Sequence, residues 1–270
     1  MTETESRVVR AARRREAESP PPPEPLAVPV LDSHTHLDIV GGDPAESIAA
    51  AAAVGVTRLV QVGVDEASSA WSAELANAEP AVLATVALHP NEAPRLVNLD
   101  ESLRVIERLA TNPRVRAIGE TGLDTYRTGD DGRAAQEASF RAHIAIAKRV
   151  GKPLMIHDRD AHDDVLRILD EEGAPGTVVM HCFSGDAAFA AECVRRGYVL
   201  SFAGTVTFKN AEALRDAARL TPPEQMLVET DAPYLIPLTV RGLAEATGRD
   251  LDALCAGISA TGERVFGPWQ

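Results

Sequence analysis

Apolar positions along this chain are gathered into short blocks separated by longer polar and Ala-rich stretches. Runs rich in Val, Leu and Ile recur near residues 28–33, 58–63, 82–88, 115–119, 153–157, 177–181, 198–202 and 226–230. Within them the apolar residues are nearly continuous rather than alternating, the mark of parallel strands covered on both faces. A polar turn and a stretch of helical composition follow each run. Helix starts are signalled too. Asp43-Pro44-Ala45-Glu46 offers an N-cap, a proline at the first helical position and a first-turn carboxylate. Asp65, Asp160 and Asp186 stand similarly before helical stretches, and Gly55, Gly151, Gly173 and Gly197 stand where a C-terminal glycine is favoured. Eight such units predict a (β/α)8 barrel, a fold of ~250 residues. An open doubly wound sheet would need a glycine-rich phosphate turn after its first strand. That position holds His34-Thr35-His36 instead.

The barrel is expected over residues 27–270, with residues 1–26 as a disordered tail. Pro20 to Pro23 and Pro25 favour extended, solvated chain. In the tail Arg7, Arg10, Arg13, Arg14 and Arg15 cancel Glu3, Glu5, Glu16, Glu18 and Glu24. The surplus negative charge therefore belongs to the folded part.

The strand ends carry the chemistry. The first run leads into His34 and His36, and others end in Glu120, His157, His181 and, two positions on, Asp231. Residues two apart on a strand face the same way, so His34 and His36 can grip one ion. The carboxylate of Glu120 could bridge two cations. His157 and His181 each read as a ligand or a core histidine. Asp231 could bind a cation and also orient or deprotonate a water, with Glu229 on the same strand face. Asp32 and Asp38 flank the histidine pair as groups that orient an imidazole or as turn residues. His89, followed by Pro90, fits a substrate contact or a helix start. Arg159 fits a phosphate clamp or a surface ion pair. His143 and His162 fall inside predicted helices without an assigned role, and replacing His143 is expected to be nearly silent.

Composition narrows the setting. No run is long and apolar enough for a membrane span, and the start has no apolar segment of a secretory signal. The three cysteines, Cys182, Cys193 and Cys255, lack metal-type spacing and read as thiols of a reducing cytoplasm. The net charge of −13 argues against broad adhesion to nucleic acid but not against a locally positive nuclease site. No Walker loop, dinucleotide fingerprint, G-x-S-x-G or H-E-x-x-H occurs, which turns the reading away from nucleotide switches, dehydrogenases, serine hydrolases and zincins. Phe183, Tyr198 and Phe202 read as core rather than as a base-stacking platform.

The segments Asp32-Ser-His34-Thr-His36-Leu-Asp38, Leu88-His89-Pro90, Ile118-Gly-Glu120-Thr-Gly-Leu-Asp124, Ile156-His157-Asp-Arg159, His181-Cys-Phe-Ser-Gly185 and Glu229-Thr-Asp231-Ala-Pro-Tyr-Leu235 together resemble the TatD family of metal-dependent deoxyribonucleases, within the amidohydrolase superfamily. The resemblance runs from about residue 29 to the end. It implies a barrel, one or two divalent ions (Mg, Mn or Zn) and hydrolysis of DNA, with no membrane or obligate protein partner. Carried over, His34 and His36 would hold one metal, His157 and His181 the other, Glu120 would lie between, and Asp231 would bind metal and position water. Two departures stand out. Asp124 leads into Thr125-Tyr126-Arg127 where the family has aromatic residues. Leu235 runs straight into Ile236-Pro237-Leu238, without the Pro-, Arg-, Gly- and Asn-containing loop usual there. Two rival readings follow: a superfamily enzyme acting on a small ester, lactone or amide, and a metal-binding protein left weakly active by the short connection.

Overall fold

The computed structural model describes residues 20–269. Eight strands, β1 (Val30–Thr35), β2 (Val56–Val62), β3 (Val82–Val86), β4 (Val115–Asp124), β5 (Leu154–Arg159), β6 (Val178–Met180), β7 (Val199–Ala203) and β8 (Met226–Glu229), pair in parallel and in chain order. Helices lie between them: α1 (Leu37–Val40), α2 (Pro44–Ala53), α3 (Glu66–Ala78), α4 (Leu99–Leu109), α5 (Asp130–Val150), α6 (His162–Glu172), α7 (Ala187–Arg195), α8 (Glu212–Leu220), α9 (Ile236–Thr247) and α10 (Leu251–Phe266). This is a TIM-type (β/α)8 barrel, nearly closed. The doubly wound alternative is excluded, since a doubly wound order reverses partway through the sheet.

The local devices read from the chain mostly act as expected. Asp43 accepts the Ala45 N–H at 2.9 Å, Asp65 accepts the Ser68 N–H at 2.7 Å, and Asp186 accepts the Phe189 N–H at 2.9 Å. Asp160 is the exception. Helix α6 begins at His162 with Ala161 as its cap residue, and Asp160 adopts a positive φ of 56°. The carboxylate that serves this turn is Asp158, whose Oδ1 accepts the Ala161 N–H at 3.3 Å. Strands β1 and β3 are buried throughout, as continuous apolar runs require. Helix α10 lies so close to β1 that a Cβ on Gly262 would fall 2.0 Å from Leu31 Cδ2.

The seam between β8 and β1 is stitched by a side chain. The buried carboxylate of Asp32 accepts the Thr230 N–H at 3.2 Å and the Thr230 hydroxyl at 3.1 Å, together with its own strand's His34 N–H at 3.1 Å. Residues 1–19 of the expected tail lie outside the described residues. Of residues 20–26, most are exposed. Leu26 is buried and donates its N–H to Val54 O at 3.0 Å. The carbonyls of Pro20 and Pro25 accept from Tyr234 and Arg241.

Candidate metal centre

The C-terminal ends of the strands bring the sequence-predicted ligands to one point. His34 lies on β1, Glu120 on β4 and His157 on β5, while His36 and His181 follow β1 and β6 directly. His34 and Glu120 are buried and the other three half-buried. Strands β4 and β5 approach closely there because Gly122 faces His157; a Cβ at Gly122 would fall 2.0 Å from the His157 carbonyl oxygen.

Glu120 is the hub. Its Oε1 lies 3.5 Å from His36 Nε2 and 3.7 Å from His34 Nε2. Its Oε2 lies 2.7 Å from His181 Nε2, 3.2 Å from His157 Nδ1 and 3.8 Å from His89 Nε2. Three sets of donor atoms converge within 4.8 Å: His34, His36 and Glu120; His34, His181 and Glu229; and His89, Glu120 and His157.

The electrostatics fit a cation. Burial opposes ionisation of Glu120, yet His181 and His34 outweigh it and hold the carboxyl well below the usual range. Burial likewise opposes charge on His181, but Glu120 and Glu229 raise it well above an ordinary imidazole. The cluster thus draws positive charge, and a divalent ion competes with protons for the same nitrogens. His34 Nε2 and His36 Nε2 face each other at 3.1 Å, and Glu229 Oε2 is buried with no hydrogen-bond partner among the described residues. A cation between the two imidazoles would relieve their close approach.

Other predicted residues fall at varied distances from this point. His89 stands at its edge; its Nδ1 accepts the Asn91 N–H at 3.0 Å, and burial above all pushes its pKa down to about 4. Asp231 is exposed and lies outside the three converging sets, although it shares a cavity wall with His36 and its charge acts on that ring. The Arg159 guanidinium lies over Tyr126 at 4.2 Å from the ring centroid. Asp38 accepts from Gln61 Nε2 at 3.1 Å. Asp32 holds backbone at the seam rather than an imidazole. His162 pairs with Asp158 at 2.7 Å, away from the cluster.

Two residues of the site were visible in the sequence but given no task. Glu229 Oε1 lies 3.2 Å from His181 Nδ1. Asp124 Oδ2 lies 3.3 Å from His157 Nε2 and takes the Asn91 side-chain amide at 2.8 Å. The strand period that aligns Glu229 with Asp231 was the available signal for the first. Asp124 had none beyond its motif, because β4 runs on to residue 124, past the apolar run.

His143 has a task after all. Fully buried in α5, it accepts the Leu88 N–H on Nε2 at 3.1 Å and bonds Ser139 O through Nδ1 at 2.7 Å, which fixes the backbone just before His89. These bonds argue against a silent replacement of His143. Burial lowers its pKa to about 4 from 6.5. Between those values only the unfolded chain takes the proton, so stability present above pH 6.5 falls by roughly 3 kcal/mol as the pH drops toward 4. We expect His143→Ala to lose about 2–4 kcal/mol at pH 7 through a cavity and an unpaired N–H. The deficit should narrow at pH 5 in urea titrations; a variant as stable as the parent at pH 7 would refute this.

Known proteins resemble this chain over most of its length. Residues 31–263 match the family model for TatD related DNase. A Mycobacterium tuberculosis protein named as an uncharacterized metal-dependent hydrolase TatD is 45% identical over 260 residues, covering 88% of this chain and 98% of that protein. The 3'-5' ssDNA/RNA exonuclease TatD of Citrobacter rodentium is 33% identical over 246 residues, 83% of this chain and 92% of that one. The crystal structure of YjjV, a TatD homologue from Escherichia coli K12, superposes with a TM-score of 0.83 at 25% identity, covering 88% and 98% of the two chains. With the family model spanning the barrel and a relative 45% identical along nearly its whole length, this chain belongs to the TatD family of metal-dependent hydrolases.

Proposed function

We propose that the enzyme cleaves phosphodiester bonds in DNA with two divalent cations. The observation that carries this reading is the two-sided environment of Glu120, one oxygen toward His34 and His36 and the other toward His157 and His181. Such a carboxylate suits a pair of ions, the arrangement used for in-line displacement at phosphorus. Mg, Mn and Zn are all compatible with mixed imidazole and carboxylate donors. The family description and the name of the Citrobacter relative support nucleic acid as the substrate class. Three unpaired cysteines support a cytoplasmic setting, and among the described residues no helix is long and apolar enough to cross a membrane.

In this reading His34 and His36 would hold one ion and His157 and His181 the other, with Glu120 between the two histidine pairs. Bound ions supply Lewis acidity, toward water and toward the negative charge that grows on phosphate. The protein's own groups do the rest. Asp231, at the rim beside His36, orients the attacking water and takes its proton. Glu229 and Asp124 hold the far sides of the His181 and His157 rings, so that the near nitrogens face Glu120. Because His89 Nδ1 accepts the Asn91 N–H, its own proton sits on Nε2 and points toward the cluster, where it can donate to a phosphate oxygen. Arg127 and Arg95 line the same cavity as His89 and offer phosphate contacts more directly than Arg159.

The test is metal-dependent nucleotide release from DNA by the purified enzyme. We expect exhaustive EDTA treatment to cut the rate at least about 100-fold and a single added divalent metal to restore it. Unchanged DNA cleavage after chelation would remove the metal mechanism. A metal-loaded enzyme that splits small esters or amides but not DNA would favour the rival substrate class.

A further inference from the structure

Two chambers of opposite chemistry meet at the metal-binding cluster, with His36 in the wall of both. One, of about 650 Å³, opens past His89 and Glu120 and carries Arg95 and Arg127. The other, of about 470 Å³, opens past His181 and Asp231 and is walled further out by Ala203, Phe208, Leu235 and Leu238. No lysine or arginine stands among the described residues of this second wall. Its outer polar groups are mainly neutral threonines, so it offers no side-chain cation to hold a phosphate.

Phe208 is 58% exposed and Leu238 is 48% exposed, whereas Phe183 and Phe202 are buried in the core. An exposed phenyl on a loose loop would be unremarked surface. This one is held. The Phe208 N–H donates to Thr205 O at 3.0 Å, and its carbonyl accepts from Arg215 Nη1 at 2.7 Å and from the Ala211 N–H at 3.0 Å. The turn before it is wedged against α9, where a Cβ on Gly242 would fall 2.6 Å from Thr207 Cγ2. An exposed phenyl on a backbone held in place, beside an apolar wall and within one chamber of a phosphodiester-cleaving centre, has the chemistry of a stacking platform.

We propose that this second chamber is a nucleobase subsite. A base flanking the scissile phosphate lies on Phe208 between Leu235 and Leu238, while the adjoining phosphates leave through the Arg127 side. The side chains present no donor and acceptor pair matched to one base, so the subsite accepts any of them by stacking. The inference rests on the nuclease reading for its biological sense, but base binding can be measured apart from turnover.

The experiment is calorimetric binding, at fixed Mg2+, of 2'-deoxyadenosine 5'-monophosphate and of 2-deoxyribose 5-phosphate. The full-length wild type, Phe208→Ala, Phe208→Trp and Arg127→Ala are compared, each first checked for an unchanged thermal transition. We expect the base to tighten wild-type binding about 10-fold or more, in line with the worth of one aromatic stack. That gain should vanish in Phe208→Ala and persist in Phe208→Trp, while Arg127→Ala weakens both ligands alike. A nucleotide bound no more tightly than the sugar phosphate by the wild type overturns the subsite, as does a gain that survives Phe208→Ala. A wild type that binds the nucleotide through Phe208 but cannot cleave DNA leaves the subsite standing and removes the nuclease reading.

Discussion

Replacing Glu120 by Ala is expected to lower turnover on the order of 10³-fold or more, the scale on which a positioned catalytic group acts. The reason is its place as hub. Four imidazoles lie within 3.7 Å of its two oxygens, and the residue is only 4% exposed, so water cannot stand in for it readily. Removing the charge leaves those rings with Glu229 as the remaining buried carboxylate of the converging donor sets, which weakens any divalent ion shared between them. Glu120→Gln is the sharper probe because it keeps the shape and removes the charge. Both variants should carry less metal by elemental analysis while keeping the fold. If either retains more than about a tenth of wild-type turnover with normal metal content, Glu120 does not serve the ions and the two-cation reading fails.

Asp32→Ala should be the most damaging change away from the metal-binding rings. Three hydrogen bonds converge on this buried carboxylate, two of them from Thr230 across the seam between β8 and β1. Truncation unpairs two backbone N–H groups, and we expect a loss of about 2–4 kcal/mol. For a domain of this size that is a fall in Tm on the order of 10 °C. The same bonds set His34 on one side and the Thr230-Asp231 turn on the other, so turnover should fall as well at temperatures where the variant is folded. Burial raises the Asp32 carboxyl well above its ordinary range despite these donors, so its task needs acceptor geometry more than charge. Asp32→Asn, which keeps one oxygen for the two N–H groups, should recover most of the stability. An Asn variant as unstable as the Ala variant would show that the negative charge itself closes the seam.

Much of this protein was legible in one dimension because its folding code is local and repeated. A parallel strand buried on both faces must be apolar at nearly every position, so β1 to β8 announce themselves within a few residues of where they lie. Caps such as Asp43, Asp65 and Asp186 act within three residues of themselves, and the first strand of such a barrel ends where a histidine pair can face inward. The convergence of His34, His36, Glu120, His157 and His181 was readable because barrel topology sends every strand's C-terminal end to the same face. What the chain could not tell alone depends on distances between residues far apart in sequence. Asp158 rather than Asp160 serves the start of α6 because the backbone at Asp160 turns left-handed. His143 is a buried bond acceptor for Leu88, 55 residues away, and nothing near it in the chain marks that partner. Asp32 closes the barrel only because Thr230, 198 residues on, arrives beside it. Leu26 is anchored against Val54 and Gly55, although the composition around it is that of an extended linker. The division of the cleft into an arginine-bearing chamber and an apolar one with Phe208 likewise exists only where loops from opposite sides of the barrel meet. Periodicity and capping are short-range and survive in the sequence; pairing across the barrel is decided when the strands close, and only the tertiary structure holds it.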